Sequence, residues 1–522
     1  MIKDTEKSGK VVFKDYNQHQ ISLLPPSFEE LISSKHLVRI INSVIDRVNL
    51  KTLEQSYKGG GASTYHPRMM LKILVYAYSV KTYSCRRIDQ ALGQDIHFMW
   101  LSGVQRPDFR TINNFRSGPL KSILENVFRE VLDFLIEQGY VKLENYFVDG
   151  TKLQADANKY TAVWAKNTAR YKEGLQEKVK ALFKEIDAEN QQEDKEYGEQ
   201  HLESEGQNST VSSEQILQKA ADLNEKLSQT DTKKEQRKIK SVQRKLQRAA
   251  MKMEDYEHQQ SVLKDRRSYS KTDPDATFMK MKDEQFLPAY NVMHGTENQF
   301  IVNYTITQSG AETHLLKEHL KKLEQITGSL PTNIVGDAAY GSEENYAYLK
   351  EKSCEAYLKY SGYYHERTRE HQKNIFHRDN FPYDPATDSF TCPNGEHLIR
   401  KTISKQTNPN GYERTTIHYE SRNCEGCNLA TACKKSSQNP RQVTVSPVWE
   451  KFKEEARQRL LSDKGTRLRK QRSVDVESSF GDIKFNQGYT RFRLRGLAKV
   501  NIEWGLIAMS HNLRKAAIKA AA

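Results

Sequence analysis

The sequence predicts a mixed α/β fold: a sheet flanked by helices, preceded by an all-α region and interrupted by a long helical insertion and a small Cys-rich one. Three observations predict it. Two apolar runs end in aspartate, Asn145-Tyr146-Phe147-Val148-Asp149 and Asn333-Ile334-Val335-Gly336-Asp337, and read as buried strands. A stretch from about 166 to 266 is rich in Glu, Gln, Lys and Arg with few aromatics, unlike the sequence on either side. Four of the six cysteines fall between Cys392 and Cys433. The expected division is an N-terminal helical region, 1–140; a sheet domain from 141–165, 267–365 and 445–522; a charged helical insertion, 166–266; and a Cys-rich insertion, 366–444.

In chain order, Phe28 to Ile32 and His36 to Ile45 show helical apolar spacing. Gly59-Gly60-Gly61 punctuates, and Pro67 then opens a helix through Tyr78, where its missing N–H costs nothing. Ser84 to Ile88 and Arg106 to Arg116 are further short helical segments with arginines near their starts. Such a set suits a helix-turn-helix-like DNA reader through Arg86, Arg87, Arg110 and Arg116, or equally a plain bundle with a solvated basic face.

Tyr171 to Ile186 and Ile216 to Leu263 read as long polar helices forming a hairpin. Between them Glu189 to Glu196 and Glu203 to Ser209 read as a flexible acidic loop. The basic run Lys233 to Lys240 suits a solvated face or a DNA clamp. Sheet sequence resumes at Ser270. Pro288 to Met293 and Gln299 to Thr307 read as strands around a Gly295-to-Asn298 turn, then a helix over His314 to Ile326, the Asp337 strand, a helix near Glu343 to Lys350, and a strand at Glu355 to Tyr360. Asp273 and Asp275 read as turn or helix-cap residues, with a supporting role behind a metal site as the alternative. Near the C-terminus, Tyr489 to Arg495 interleaves Arg491, Arg493 and Arg495 with aromatics, a pattern that suits a DNA backbone groove. Ile502 to Leu513 is an apolar helix expected to pack on the sheet.

Cys85 and Cys354 are isolated and read as buried thiols. Cys392, Cys424, Cys427 and Cys433 include one Cys-x2-Cys pair, which points to metal rather than disulfide in a reducing compartment. Four thiolates match one tetrahedral structural zinc and leave no open position for catalysis.

Composition narrows the partners. Lys plus Arg number 81 against 67 for Asp plus Glu, a net charge of +14. The pI is near 9.2 and the mean hydropathy −0.80. The excess favours a polyanion, DNA foremost. No apolar run is long enough to span a membrane, and Met1 to Lys7 lacks a signal-peptide core. The expected location is the cytoplasm, where chromosomal DNA is.

Two strand-end aspartates and a glutamate from a cationic helical stretch, Glu477, can meet at one sheet edge and cage hard divalent ions. That arrangement serves two-metal phosphoryl transfer. Lys484 lies seven positions beyond Glu477, nearly two α-helical turns, so one face would hold both a metal-binding carboxylate and an ammonium for a DNA phosphate. The plain alternative is an exposed ion pair.

At these residues the chain resembles the DDE-type transposases of bacterial insertion sequences, which have a ribonuclease H-like catalytic fold. Val148-Asp149-Gly150-Thr151-Lys152 with Ala155-Asp156-Ala157-Asn158-Lys159-Tyr160 is similar to the family's first-aspartate motif. Gly336-Asp337-Ala338-Ala339-Tyr340-Gly341-Ser342 is similar to the second, and Glu477 with Lys484 to the glutamate signature. The family's tyrosine and arginine positions before the glutamate are Lys470 and Ser473 here, so Arg472 is the candidate for the arginine's role and no residue matches the tyrosine.

The resemblance implies catalytic carboxylates Asp149, Asp337 and Glu477 holding two Mg²⁺ or Mn²⁺ ions, with Asp149 bridging. It also implies binding of terminal inverted-repeat and target DNA, a homodimer on paired ends, and cut-and-paste movement by cleavage and strand transfer. Rival readings are a metal-dependent nuclease that does not join strands, and a non-catalytic DNA-binding regulator.

Overall fold

The computed structural model describes residues 27–57, 64–197, 211–229, 232–434 and 439–521. The Gly59–Gly61 punctuation, the Met1–Lys7 segment and Glu203 to Ser209 lie outside them.

The N-terminal region is helical as its spacing predicts, with helices at Leu37–Arg47, Pro67–Ser79, Cys85–Ala91, Phe109–Ser117 and Leu120–Glu137 among others. In the last, Leu120, Ile123, Leu124, Val127, Phe128, Val131, Leu132 and Leu135 are buried, the three-and-four spacing of one helical face. Each such side chain contributes roughly 1.5–3 kcal/mol on burial. This face joins a core that continues into the sheet. The helix Leu497–Ala521 explains the continuity, because it packs on the sheet and on Pro67–Ser79 and Leu120–Glu137 at once. It therefore links the sheet to the helical region rather than covering the sheet alone.

Strands β1 (Asn145–Gln154), β4 (Thr277–Lys280), β5 (Phe286–Glu297), β6 (Phe300–Thr307), β7 (Asn333–Gly341) and β8 (Glu355–Tyr360) make one mixed sheet. The short pair β2 (Ala162–Trp164) and β3 (Ser268–Ser270) stands apart from it. β5 runs antiparallel to β1 on one side and to β4 and β6 on the other; β7 is parallel to β1, and β8 to β7. Glu297 secures the entry to β1 by accepting the backbone N–H groups of Lys142, Leu143, Glu144 and Asn145 at 2.6–3.1 Å.

Between β2 and β3 the chain forms three helices, Ala165–Tyr197, Ser213–Gln229 and Lys233–Leu263, where the sequence predicts a two-armed hairpin. Glu189 to Glu196 belongs to the first helix rather than to a loop. These helices bury their own small core, including Val179, Phe183, Ile216, Leu246 and Met253. The basic run at its start is exposed.

A second, antiparallel sheet has the lateral order β13-β12-β11-β10-β9: β9 Tyr383–Asp384, β10 Ser389–Thr391, β11 His397–Thr407, β12 Glu413–Ser421 and β13 Gln442–Val445. Its core is small: Phe381, Leu398, Tyr419 and Val443. Helices Pro447–Leu461 and Asp463–Arg472 lead back to the main sheet, followed by two π-helical segments, Ser473–Glu477 and Asp482–Asn486.

Candidate active site

Strand register alone brings the two aspartates together. β1 and β7 are parallel neighbours with Phe147 opposite Val335, so two residues on, Asp149 and Asp337 stand side by side on the same face. Glu477 arrives from the π-helical segment that crosses β1 and β5. Asp475 anchors that segment: buried, it accepts the Thr296 hydroxyl at 2.6 Å and the Gln299 amide at 2.8 Å. His294, paired with Asp149 across β1 and β5, stacks on Phe480 at 3.5 Å and bonds the Ser479 hydroxyl at 2.9 Å. Burial holds this imidazole far below its ordinary pKa, so it is neutral.

The three carboxylates converge on one guanidinium. Arg472 lies 3.1 Å from Asp149 Oδ1, 3.9 Å from Asp337 Oδ2 and 2.9 Å from Glu477 Oε1. The site opens from its floor outward: side-chain exposure rises from 18% at Asp149 to 38% at Asp337 and 51% at Glu477. Burial pushes the Asp149 carboxyl up to about 6, against the lowering effects of Arg472 and the Gly150 amide; Asp337 and Glu312 add to the rise.

Glu312 is the residue sequence reading missed. Its carboxylate accepts the Tyr340 hydroxyl at 3.0 Å and sits so close to Gly150 that a Cβ there would lie 2.5 Å from it. The usable signal was Gly150 itself, since a glycine inside a strand marks close approach by another group. Four acidic side chains thus share the site, three of them touching Arg472.

Lys484 does not pair with Glu477. Its ammonium donates to the Thr151 hydroxyl on β1, while Glu477 takes Arg472. The i→i+5 segments at 473–477 and 482–486 widen the turn, so α-helical spacing does not carry through from one residue to the other. Burial, with Lys282 nearby, lowers the Lys484 pKa to about 8, opposed by Asp149.

The other basic residues divide. Arg86, Arg87 and Arg110 are exposed, with Arg86 and Arg110 over the Phe109 ring at 5.1 and 5.7 Å. Arg116 is corrected from a DNA contact to an interior brace: only 6% exposed, it donates to the Tyr78 hydroxyl, the Tyr83 carbonyl and Asn113. Arg491, Arg493 and Arg495 face outward while Phe492 and Leu494 are buried, so the interleaved aromatic is core rather than a stacking platform. Asp156 ties Arg491 at 2.9 Å and Arg495 at 3.0 Å. Asp273 and Asp275 hold a turn and a helix start: Asp273 accepts the Tyr290 hydroxyl and the Gly496 amide, and Asp275 the Leu497 amide.

Cys85 and Cys354 are buried. Cys392, Cys424, Cys427 and Cys433 all line one cavity of about 20 Å³, room for a single ion- or water-sized occupant. The Arg441 amide donates to Cys424 Sγ at 3.4 Å. Burial raises the Cys433 thiol pKa; Arg441 opposes this and the other three cysteines add to it. The sulfurs surround the cavity without closing on a point, since the three-ligand group drawn within 4.8 Å among the described residues lies elsewhere.

Removing Arg472 tests the electrostatics. A carboxyl with a folded pKa above its unfolded value contributes stability below about pH 4 and loses it as pH rises through the folded pKa, here about 6 for Asp149. Arg472→Gln takes away the opposing cation and pushes that pKa higher. In chelator-treated protein its melting temperature should therefore fall further below wild type at pH 8 than at pH 5. An equal deficit at both pH values would reduce Arg472 to a packing role.

Residues 26–118 match the family model described as a transposase domain, and residues 391–517 the one described as a transposase DDE domain. The first match contains Arg86, Arg87, Arg110 and Arg116; the second contains the four clustered cysteines, Glu477 and Lys484. No curated protein and no solved structure matches the chain.

Proposed function

The chain belongs to the DDE transposases of insertion sequences, and from that premise we propose that it binds the terminal inverted repeats of its own element and catalyses divalent-metal-dependent strand cleavage and strand transfer. As a transposase it acts on DNA, and its DDE domain implies divalent metal ions. The observation that carries the finer reading is the convergence of Asp149, Asp337 and Glu477 on the Arg472 guanidinium. A cation already occupies the point the carboxylates share, and the donors are hard oxygens, as Mg²⁺ or Mn²⁺ requires. The sheet order supports a ribonuclease H-like core: antiparallel β6, β5 and β1, then parallel β7 and β8, with the aspartates on β1 and β7. The N-terminal helices, packed on this sheet, are the proposed end-binding part, with exposed Arg86, Arg87 and Arg110 on DNA and a homodimer on paired ends.

Asp149, Asp337 and Glu477 would hold the divalent ions. Bound ions supply Lewis-acid activation of water or a DNA 3′-hydroxyl and stabilise the leaving oxygen. With ions held there, Arg472 would be free for a DNA phosphate. Lys484 presents its ammonium from the β1 side of the same floor, and Arg491, Arg493 and Arg495 line the outer surface. The four thiols suit one structural zinc by donor type, with no part in catalysis.

The direct test is to search the DNA flanking the gene for matched inverted repeats and to run a strand-transfer assay with purified chain, Mg²⁺ and linear DNA carrying them. Joined products are expected alongside end cleavage. Cleavage without joining would favour a nuclease, and binding without either a regulator.

Lys484→Ala should slow cleavage and weaken binding of the cleaved end, with the loss shrinking at high salt as counterions compete. A base with a lowered folded pKa costs stability below that pKa, and the cost fades as pH rises toward the ordinary lysine value. Lys484→Met should accordingly stabilise the free protein at pH 7 but not near pH 10. Wild-type cleavage and end binding in the alanine variant would leave Lys484 a structural partner of Thr151 only.

A further inference from the structure

Outside the carboxylate site and the cysteines, the loop that joins β8 to the second sheet carries His365, His371, His377 and Asp379. Three of these gather. His371 Nε2 lies 3.8 Å and His377 Nδ1 3.6 Å from the same oxygen, Asp379 Oδ2, and the three ligand atoms are all within 4.8 Å of one another. His371 is 5% exposed, so its imidazole is held in place rather than swinging in solvent.

A tetrahedral ion with metal–nitrogen and metal–oxygen bonds near 2.0–2.1 Å separates its ligand atoms by about 3.3 Å. The two histidine–aspartate edges, at 3.6 and 3.8 Å, need a closure of only a few tenths of an ångström, and the histidine–histidine edge, within 4.8 Å, closes by a turn of the partly exposed His377 ring. The supporting contacts are also those of a ligand set. Arg378 Nε takes the other carboxylate oxygen, Asp379 Oδ1, at 3.1 Å, and so turns Oδ2 toward the imidazoles. The neighbouring carboxylates are already spent: Glu366 on Lys453 and Arg457, Glu450 on Arg378. The one competing use of His377 Nδ1, as acceptor for the Asp379 amide, is long at 3.4 Å.

We propose that His371, His377 and Asp379 form a second metal site, for a borderline divalent ion such as Zn²⁺, independent of the four cysteines. Two imidazoles and one carboxylate leave a fourth position, and His371 and Asp379 face a cavity of about 580 Å³ from which water can fill it. The ion's role is structural. The loop follows β8, which pairs with the Asp337 strand, and it is tied to the second sheet through Arg441 to the Phe376 carbonyl at 2.8 Å and Arg378 to the Thr444 carbonyl. An ion there sets how the second sheet stands against the strands of the carboxylate site.

Co²⁺ titration of the full chain carrying Cys424→Ser, Cys427→Ser and Asp149→Asn separates this site from the thiols and from the carboxylate site. The expected result is one Co²⁺ per chain with weak visible d–d bands and no intense sulfur charge-transfer band in the near ultraviolet. Asp379→Asn or His377→Gln on that background should weaken binding by more than about tenfold, and Arg378→Ala by about tenfold, as loss of an orienting partner does. Wild-type protein provides the parallel measurement should the cysteine variant not fold: its zinc content should fall by one ion per chain on Asp379→Asn, with far-UV circular dichroism unchanged. Absence of Co²⁺ binding by a folded cysteine variant, binding indifferent to His377 and Asp379, or unchanged zinc content in Asp379→Asn would each overturn the site and leave a hydrogen-bonded histidine–aspartate cluster.

Discussion

Asp149→Asn, Asp337→Asn and Glu477→Gln should each abolish DNA cleavage while leaving binding to the transposon ends intact or slightly tighter. Each change removes a negative charge and keeps the side-chain shape. A metal ligand set supplies several kcal/mol of charge stabilisation in the transition state, so losing one ligand should cost on the order of 10³-fold or more in rate. On the proposed reading end binding would rest on distributed cations such as Arg86, Arg87 and Arg110, and DNA phosphates gain when an acidic group is neutralised. The fold should survive. Asp149 is the most buried of the three, and its carboxyl already resists ionisation up to about pH 6, so the neutral amide removes a cost at neutral pH. A melting temperature at or above wild type for Asp149→Asn at pH 8 is the control that separates lost chemistry from lost structure. Retained cleavage in any one variant would remove that residue from the metal cage.

Changing Cys424 and Cys427 together to serine should lower the zinc content by about one ion per chain and open the second sheet to protease. That sheet is held by a core of four buried side chains, too few to carry it alone. A structural zinc contributes folding free energy of about 10–16 kcal/mol in small zinc-dependent domains. Without metal the Cys433 thiol is protonated, because burial raises its pKa and the neighbouring sulfurs add to the rise. Zinc uptake must therefore release protons, and affinity should rise with pH. Limited proteolysis between 383 and 445, with metal analysis of freshly reduced protein, reads both effects. Zinc-free wild-type protein with an intact second sheet would reject the assignment.

Much of this was legible in the chain. The apolar runs ending in Asp149 and Asp337 announce buried strands, and period-two and three-to-four spacing locates the strands of the main sheet and the helix at Leu120–Glu137. The cysteine cluster falls in the stretch that carries the second sheet. What local spacing misjudged was continuity: Glu189 to Glu196, polar throughout, is helical because the helix it extends is anchored by Val179, Phe183 and Ile186 in a core built from distant residues. Arg116 reads as a surface cation until Tyr78 and Tyr83 fold over it.

The sequence by itself determined which residues carry charge and chemistry, and which segments form strands, because side-chain type and periodicity are local properties. Only the tertiary structure decided which of them meet. Parallel pairing of β1 with β7 sets Asp149 beside Asp337 across a separation of 188 positions in the chain (337 − 149 = 188). The π-helical segments turn Glu477 to Arg472 and Lys484 to Thr151 instead of to each other. Glu312 enters through the space that Gly150 leaves, and the histidines at 371 and 377 meet Asp379 through a loop fold with no periodic signal. Such meetings depend on register, helix widening and loop closure, which are set by the burial of the whole core rather than by any residue's near neighbours.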